Sequence, residues 1–274
     1  MTSVSKTVWI TGASKGIGNA LALTYLQKGY RVIATSRNIQ KSDFKNDQNN
    51  PNLSVIAGDL SLKEENQRIV NRIFNDHKHV DIAVLNAGTC DYLSVDTLQS
   101  DSFEHLFKVN VFSVVYALEA LLPHLLNTDA TIAVTGSLAG YAGLPRASAY
   151  GGSKAAIHHI IDTLQIELSP YPLHLSLITP GFVDTPLTQQ NDFKMPFLLS
   201  PEKAAHYIYK GIHKKKYLIQ FPFIFSMIIR VLGCLPQRLR VALLARTLRE
   251  KKQWQQTYHN SPVIAWDITL PGLV

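Results

Sequence analysis

The sequence predicts an α/β fold: a single doubly wound domain around a seven-stranded parallel sheet, with a helical extension at its C-terminal end. Three observations predict it. Short β-branched apolar runs alternate with longer stretches of helical period, the pattern of repeated strand–helix–strand units. The runs are continuously apolar, as VWIT, IAVLN and TIAVT are, which is what parallel strands covered on both faces require. A glycine-rich turn, TGASKGIG, joins the first run to the first helical stretch.

Taken in order, strands are expected at Thr7 to Thr11, Arg31 to Ser36, Leu53 to Ala57, Asp81 to Asn86, Thr131 to Thr135, His174 to Thr179 and Tyr217 to Phe221. Helices are expected at Ile17 to Lys28, Glu64 to Asp76, Asp101 to Leu126 and Ser153 to Leu168, the third capped by Asp101. The Asn-, Asp- and Lys-rich stretch Asn38 to Asn52 reads as a polar surface excursion. Residues 1–222 are expected to form the domain and 223–274 a basic, apolar helical extension.

Composition narrows the function classes. Hydrophobic residues at 46% of 274 positions exclude a disordered chain, and 15 Gly with 13 Pro in no short period exclude collagen-like repeats. Cys90 and Cys234 are too few for a disulfide framework and are read as reduced thiols, and the ten histidines show no metal-ligand spacing, so no metal is expected. The N-terminus enters a strand without an apolar leader, and a cytoplasmic location is expected. Net charge is +7, but residues 1–200 hold 15 Lys+Arg against 17 Asp+Glu while 201–274 hold 12 against 3. No recognisable nucleic-acid module accompanies that basic tail, so nucleic acid is not an expected partner.

In the Gly-rich turn, Gly12, Gly16 and Gly18 allow a tight bend and close approach of the backbone to a pyrophosphate, which the N–H groups opening the helix can hold; Ser14, Lys15 and Ile17 complete the loop. At the end of the second strand an NAD site would place an Asp or Glu, but the chain has Ser36-Arg37. Arg37 and Lys15 suit a 2′-phosphate, so NADP(H) is favoured over NAD(H). Tyr150 and Lys154 stand four apart on one helix face, where an ammonium can lower the pKa of a phenol and let the pair shuttle a proton. Ser137 ends the fifth strand, at the sheet edge where such folds gather ligands.

TGASKGIG, Asp59, Asn86 to Gly88, Asn110, Ser137, YGGSK at Tyr150 to Lys154 and PGFVDT at Pro180 to Thr185 resemble, in order and spacing, the short-chain dehydrogenase/reductases, whose fold is Rossmann-type. The resemblance implies an oxidoreductase interconverting an alcohol and a ketone or aldehyde. It makes Tyr150 the general acid or base, Ser137 a donor to the carbonyl oxygen, Lys154 a holder of the nicotinamide ribose and Asn110 the support of a water beside Lys154. It assigns Asp59 and Leu60 to adenine, Asn86, Ala87 and Gly88 to the adenosine side, and Pro180, Gly181, Val183 and Thr185 to the nicotinamide side. Leu138, Tyr141, Leu144, Tyr92 and Phe182 would border an apolar substrate, and the helices at 101–126 and 153–168 would form homodimer or homotetramer contacts. The chain departs from the family at Gly136, often Ser, and at Gly151-Gly152, often Ser-Ala. The two glycines are expected to clear space beside Tyr150.

In the tail, LIQFPFIFSMIIRVLGCL contains Gln220, Pro222 and Arg230, which argue against a membrane span. A short apolar helix after Pro222 and a second helix, Gln237 to Gln253, are expected, the second with Arg238, Arg246, Arg249 and Lys252 opposite Val241, Leu244 and Leu248. Such a tail serves as a lid or dimer contact, or lies on a membrane surface with Lys214 to Lys216 reinforcing it. The alternatives to a soluble reductase are thus a membrane-surface lipid ketone reductase and a catalytically silent cofactor-binding scaffold.

Overall fold

The computed structural model describes residues 5–191 and 193–246. Residues 1–233 form one compact unit and 234–274 a second. In the first unit the strands are β1 Thr7–Thr11, β2 Arg31–Ser36, β3 Leu53–Ala57, β4 Ile82–Leu85, β5 Thr131–Thr135, β6 His174–Pro180 and β7 Leu218–Phe221. All pair in parallel, in the order β3-β2-β1-β4-β5-β6-β7. The chain reverses direction across the sheet between β1 and β4, which opens a crevice at the carboxyl ends of these strands.

Helices α1 Gly16–Gln27 and α6 Pro201–His213 cover one face; α2 Lys63–His77, α4 Ser113–Leu125 and α5 Ser148–Glu167 cover the other. The strands alternate between two cores. Val8 and Ile10 pack with Leu21, Tyr25, Ala204 and Ile208, while Trp9 and Ile33 pack with Ile69, Leu121, Ile157 and Ile161. Each fully buried large side chain contributes roughly 1.5–3 kcal/mol, so both faces hold the sheet. Trp9 can lie in the core because its indole N–H donates to Thr35 Oγ1 at 2.9 Å.

Several expectations are corrected. The helix expected at Asp101 to Leu126 is α3 Ser100–Phe107, a π-helical segment Lys108–Phe112 and then α4. Its N-cap is Gln99, and Asp101 sits in the first turn instead. Helix α5 starts at Ser148, so Tyr150 lies in its first turn. Helix α6 was not anticipated, although its start carries clear signals: Ser200 Oγ accepts from Lys203 N, with Pro201 in the first turn. The stretch Asn38 to Asn52 is partly a core element, since Phe44 is fully buried and Ile39 nearly so.

Helix α7, Phe223–Cys234, begins after the carboxyl end of β7, and the first compact unit runs through Gly233. Lys214 to Lys216 lie at the opposite, amino end of β7, with Lys215 paired to Asp129, so they do not flank α7 as the tail reading expected. In the second unit the chain is helical over 237–246, and the rest of the expected Gln237 to Gln253 helix lies outside the described residues.

Candidate active site

The switch-point crevice is a cleft of about 440 Å³. Its floor begins at the Gly-rich turn. Gly12 and Gly16 take φ of 65° and 61°, open to glycine at little cost. Gly18 does not line the cleft; an ideal Cβ there would stand 2.3 Å from Gly12 O, so its bareness lets α1 close onto the turn. Lys15 caps α1 without a side-chain bond to the helix, leaving the first-turn N–H groups facing the cleft, and no acidic residue stands in that turn. The turn is braced from outside: Ser14 Oγ bonds Ser36 Oγ at 3.2 Å, and Asn19 Nδ2 donates to Asp43 O at 3.0 Å.

Asn86 closes the turn from the β4 side. Thr11 Oγ1 accepts from the backbone N–H of Asn86 and of Ala87, while Asn86 Nδ2 donates to Thr11 O at 3.2 Å. Ser14, Lys15, Gly16, Ile17, Ser36, Arg37, Asp59, Leu60, Ala87 and Gly88 line the cleft with it. Burial works against the Asp59 carboxylate, but the Ser61 N–H and hydroxyl and the charges of Arg37 and Lys108 hold its pKa below the ordinary value. A phosphate-bearing dinucleotide fits this half: helix N–H groups without a capping side chain, Lys15 and Arg37 at the rim, and a slot so narrow that a Cβ on Gly16 would sit 3.1 Å from Thr185.

At the other half, Pro180, Gly181, Val183 and Thr185 line the cleft opposite Ser137, Tyr150 and Lys154. Ser137 Oγ accepts from Ala139 N at 3.1 Å, and the same hydroxyl lies near enough to the Tyr150 phenol to lower its pKa in part. Lys154 Nζ donates to Thr135 O at 2.9 Å and stands 5.9 Å from the centre of the Tyr150 ring. Burial lowers the Lys154 pKa to about 8. The expected lowering of the phenol is not found in the chain alone. Burial and the neighbouring Cys90 push Tyr150 well above its ordinary value, and Ser137 pulls it back only in part.

Asn110 sits in the π-helical segment, 1% exposed and outside the cleft lining. Its amide is taken up by protein: Nδ2 donates to Thr89 O and Ser153 Oγ, and Oδ1 accepts from Thr89 N. The side chain therefore ties the Thr89 backbone to Ser153 on α5, with both of its N–H bonds engaged.

The five residues expected at the substrate fall outside the cleft lining. Leu138 is buried and Leu144 partly buried, while Tyr141 packs on His158 at 4.6 Å with Arg230 over its other side. Tyr92 and Phe182 belong to an aromatic chain that also includes Phe193, Phe225 and Phe197, with ring centres 5.4–5.9 Å apart. Phe225 reaches the cleft wall at Gly181, where an added Cβ would meet it at 3.1 Å. Gly151 and Gly152 do not line the cleft either. A Cβ on Gly151 would stand 3.1 Å from Ala139 O, so that glycine lets α5 pack on the 138–140 turn and opens no space for substrate.

Two residues near the reacting groups were not singled out for the site. Cys90 lines the cleft as a thiol whose pKa burial raises to about 11. His158 lies directly behind Ser137.

Residues 6–195 match the family model for short chain dehydrogenase. An uncharacterized oxidoreductase of Staphylococcus epidermidis is 31% identical over 69% of this chain and 82% of that one. A 1,2-dihydroxy-1,2-dihydronaphthalene dehydrogenase of a Ralstonia species is 32% identical over 68% and 73%. An 11-beta-hydroxysteroid dehydrogenase A of Sesamum indicum is 31% identical over 67% of this chain and 54% of that one. Among solved structures, a short chain dehydrogenase from Burkholderia cenocepacia in complex with NADP superposes with TM-score 0.76 at 22% identity, covering 89% and 99%. One from Burkholderia phymatum in complex with NAD gives 0.75 at 20%, covering 82% and 92%. At those identities the structures support the fold.

Proposed function

The chain belongs to the short chain dehydrogenase family and is an oxidoreductase acting on CH–OH groups; from that premise we propose that it prefers NADP(H) and interconverts an apolar alcohol with its ketone or aldehyde, Tyr150 moving the proton. The observation that carries the cofactor choice is Arg37 at the cleft rim where β2 ends, with Lys15 on the turn beside it and no carboxylate at that strand end.

Pro180, Gly181, Val183 and Thr185 would hold a nicotinamide, which would supply or accept the hydride. The protein's part is to place a carbonyl oxygen between the Ser137 and Tyr150 hydroxyls, which both belong to residues lining the cleft. Tyr150 donates its proton to the developing alkoxide on reduction and receives it on oxidation. Lys154, its ammonium held on Thr135 O and 5.9 Å from the centre of the phenol ring, would favour the phenolate form through its positive charge. The aromatic chain from Tyr92 to Phe197 supports an apolar substrate, in keeping with the steroid and dihydrodiol named for two relatives.

The same reading has the enzyme working in the cytoplasm or at its membrane surface, as a homodimer or homotetramer through α4 and α5, where exposed Phe112 and Ile166 support a contact. The test is initial-rate oxidation of NADPH and of NADH with ketones and aldehydes of graded chain length. NADPH-linked turnover rising with apolar size is expected. A preference for NADH overturns the cofactor assignment, and no turnover of any carbonyl or alcohol favours the silent scaffold.

A further inference from the structure

Helix α7 is amphipathic with its apolar face turned outward. Phe223, Ile224, Met227, Ile228 and Val231 recur at the spacing of one helical stripe and are 67%, 64%, 39%, 53% and 58% exposed. The inward face holds buried Ser226 and Ile229, and Phe225 packed on Phe182 and Phe197. Phe197 and Leu198, 50% and 44% exposed, continue the apolar surface beside Phe225. An uncovered stripe of this kind marks an interaction face.

Charge decides what covers it. From Tyr217 to Arg249 the sequence has five arginines and no Asp, Glu or Lys. A two-fold contact with a second copy would set this cationic stretch against itself, which repels. A surface of negative lipid headgroups over acyl chains takes up the apolar stripe and attracts the cationic stretch of sequence joined to it. At twelve residues the helix is too short to span a bilayer and long enough to lie in its interface.

We propose that α7 docks this chain on an anionic membrane, with the Phe223–Val231 stripe immersed at the interface. Phe225, on the inner side of the docked helix, backs Gly181, which lines the cleft, so the substrate end lies close behind the docked helix. The substrate is then a membrane-dissolved carbonyl or alcohol that reaches the cleft along the aromatic chain. That identification of the substrate rests on the oxidoreductase reading; the docking does not.

The experiment floats the full-length chain with vesicles of phosphatidylcholine alone or mixed with phosphatidylglycerol. Wild type is expected to float with the mixed vesicles, to lose on the order of tenfold in bound fraction on the neutral ones, and to detach as salt rises. Ile224→Glu with Ile228→Glu, both on the outward face, should abolish flotation while NADPH-linked turnover of a short, water-soluble ketone stays at the wild-type level. Wild type that stays at the bottom with either vesicle overturns the proposal, as does a double variant that floats like wild type. So does a wild-type oligomer that fails to float and that the double variant splits into monomers, which assigns the stripe to a second copy. Should the double variant not fold, the lipid and salt dependence of wild type decides alone. Flotation with no turnover of any ketone defeats the oxidoreductase reading and leaves the docking standing.

Discussion

His158 Nε2 accepts a hydrogen bond from the Ser137 backbone N–H at 3.4 Å, and its ring occupies the space that side chains at 136 and 140 would need. An ideal Cβ on Gly136 would stand 2.7 Å from Nε2, and one on Gly140 2.7 Å from Cε1. The departure from the family's common Ser at position 136 thus has a physical reason: the chain places an imidazole under the turn that presents Ser137. With Nε2 accepting, the ring proton resides on Nδ1, which is buried without a hydrogen-bond partner.

Gly136→Ser should therefore be damaging here despite being familiar in relatives. The added Cβ forces the ring or the turn to move, costing about 1–3 kcal/mol in stability and lowering kcat through a displaced Ser137. Urea denaturation and steady-state kinetics on the same variant check both. A variant as stable and active as wild type would show that the ring yields freely.

Acid should also act through His158. Burial, with the Lys154 charge adding to it, lowers its pKa from 6.5 to about 4. The unfolded chain binds the extra proton in that window and the folded chain does not, so the contribution is whole above pH 6.5 and disappears as pH falls toward 4. It amounts to at most about 3 kcal/mol. His158→Asn keeps an acceptor without a titrating ring, so its stability should change less than wild type's between these limits. Parallel slopes of stability against pH for the two proteins would contradict the assignment.

Asn110→Ala removes an amide that makes three hydrogen bonds to Thr89 and Ser153. About 2–4 kcal/mol should be lost, because the Thr89 N–H and C=O are left without these partners. If the side chain instead acted only through a bound water, thermal melting would hardly change while turnover fell.

Arg37→Ala should raise the KM for NADPH by on the order of 10- to 100-fold and leave that for NADH within about twofold, the loss of charge-assisted phosphate bonds. Equal effects on both coenzymes would show that Arg37 meets no 2′-phosphate.

The sheet was legible because strands buried on both faces must be apolar at every position, as Val8, Trp9 and Ile10 are. The glycine-turn half of the cleft was legible for a related reason: its residues follow directly from strand ends, and all the anticipated ones except Gly18 line it. Helix α6 escaped because its buried residues include Ala204, Ala205 and Gly211, which carry little hydrophobic signal between lysines and histidines. The aromatic chain escaped for a different reason. Tyr92, Phe182, Phe193 and Phe225 meet only through tertiary packing, and no local period connects them. His158 likewise reads as one polar residue on an apolar helix until the turn it supports is in view.

The central claim is that the Tyr150 hydroxyl, beside Ser137 and one helical turn from Lys154, transfers the proton. Its most direct test is Tyr150→Phe, measured for NADPH-linked turnover and for NADPH affinity by fluorescence titration. The account predicts kcat lower by on the order of 10²- to 10⁴-fold, with coenzyme affinity within about threefold of wild type. Turnover equal to wild type with the same affinity would contradict it.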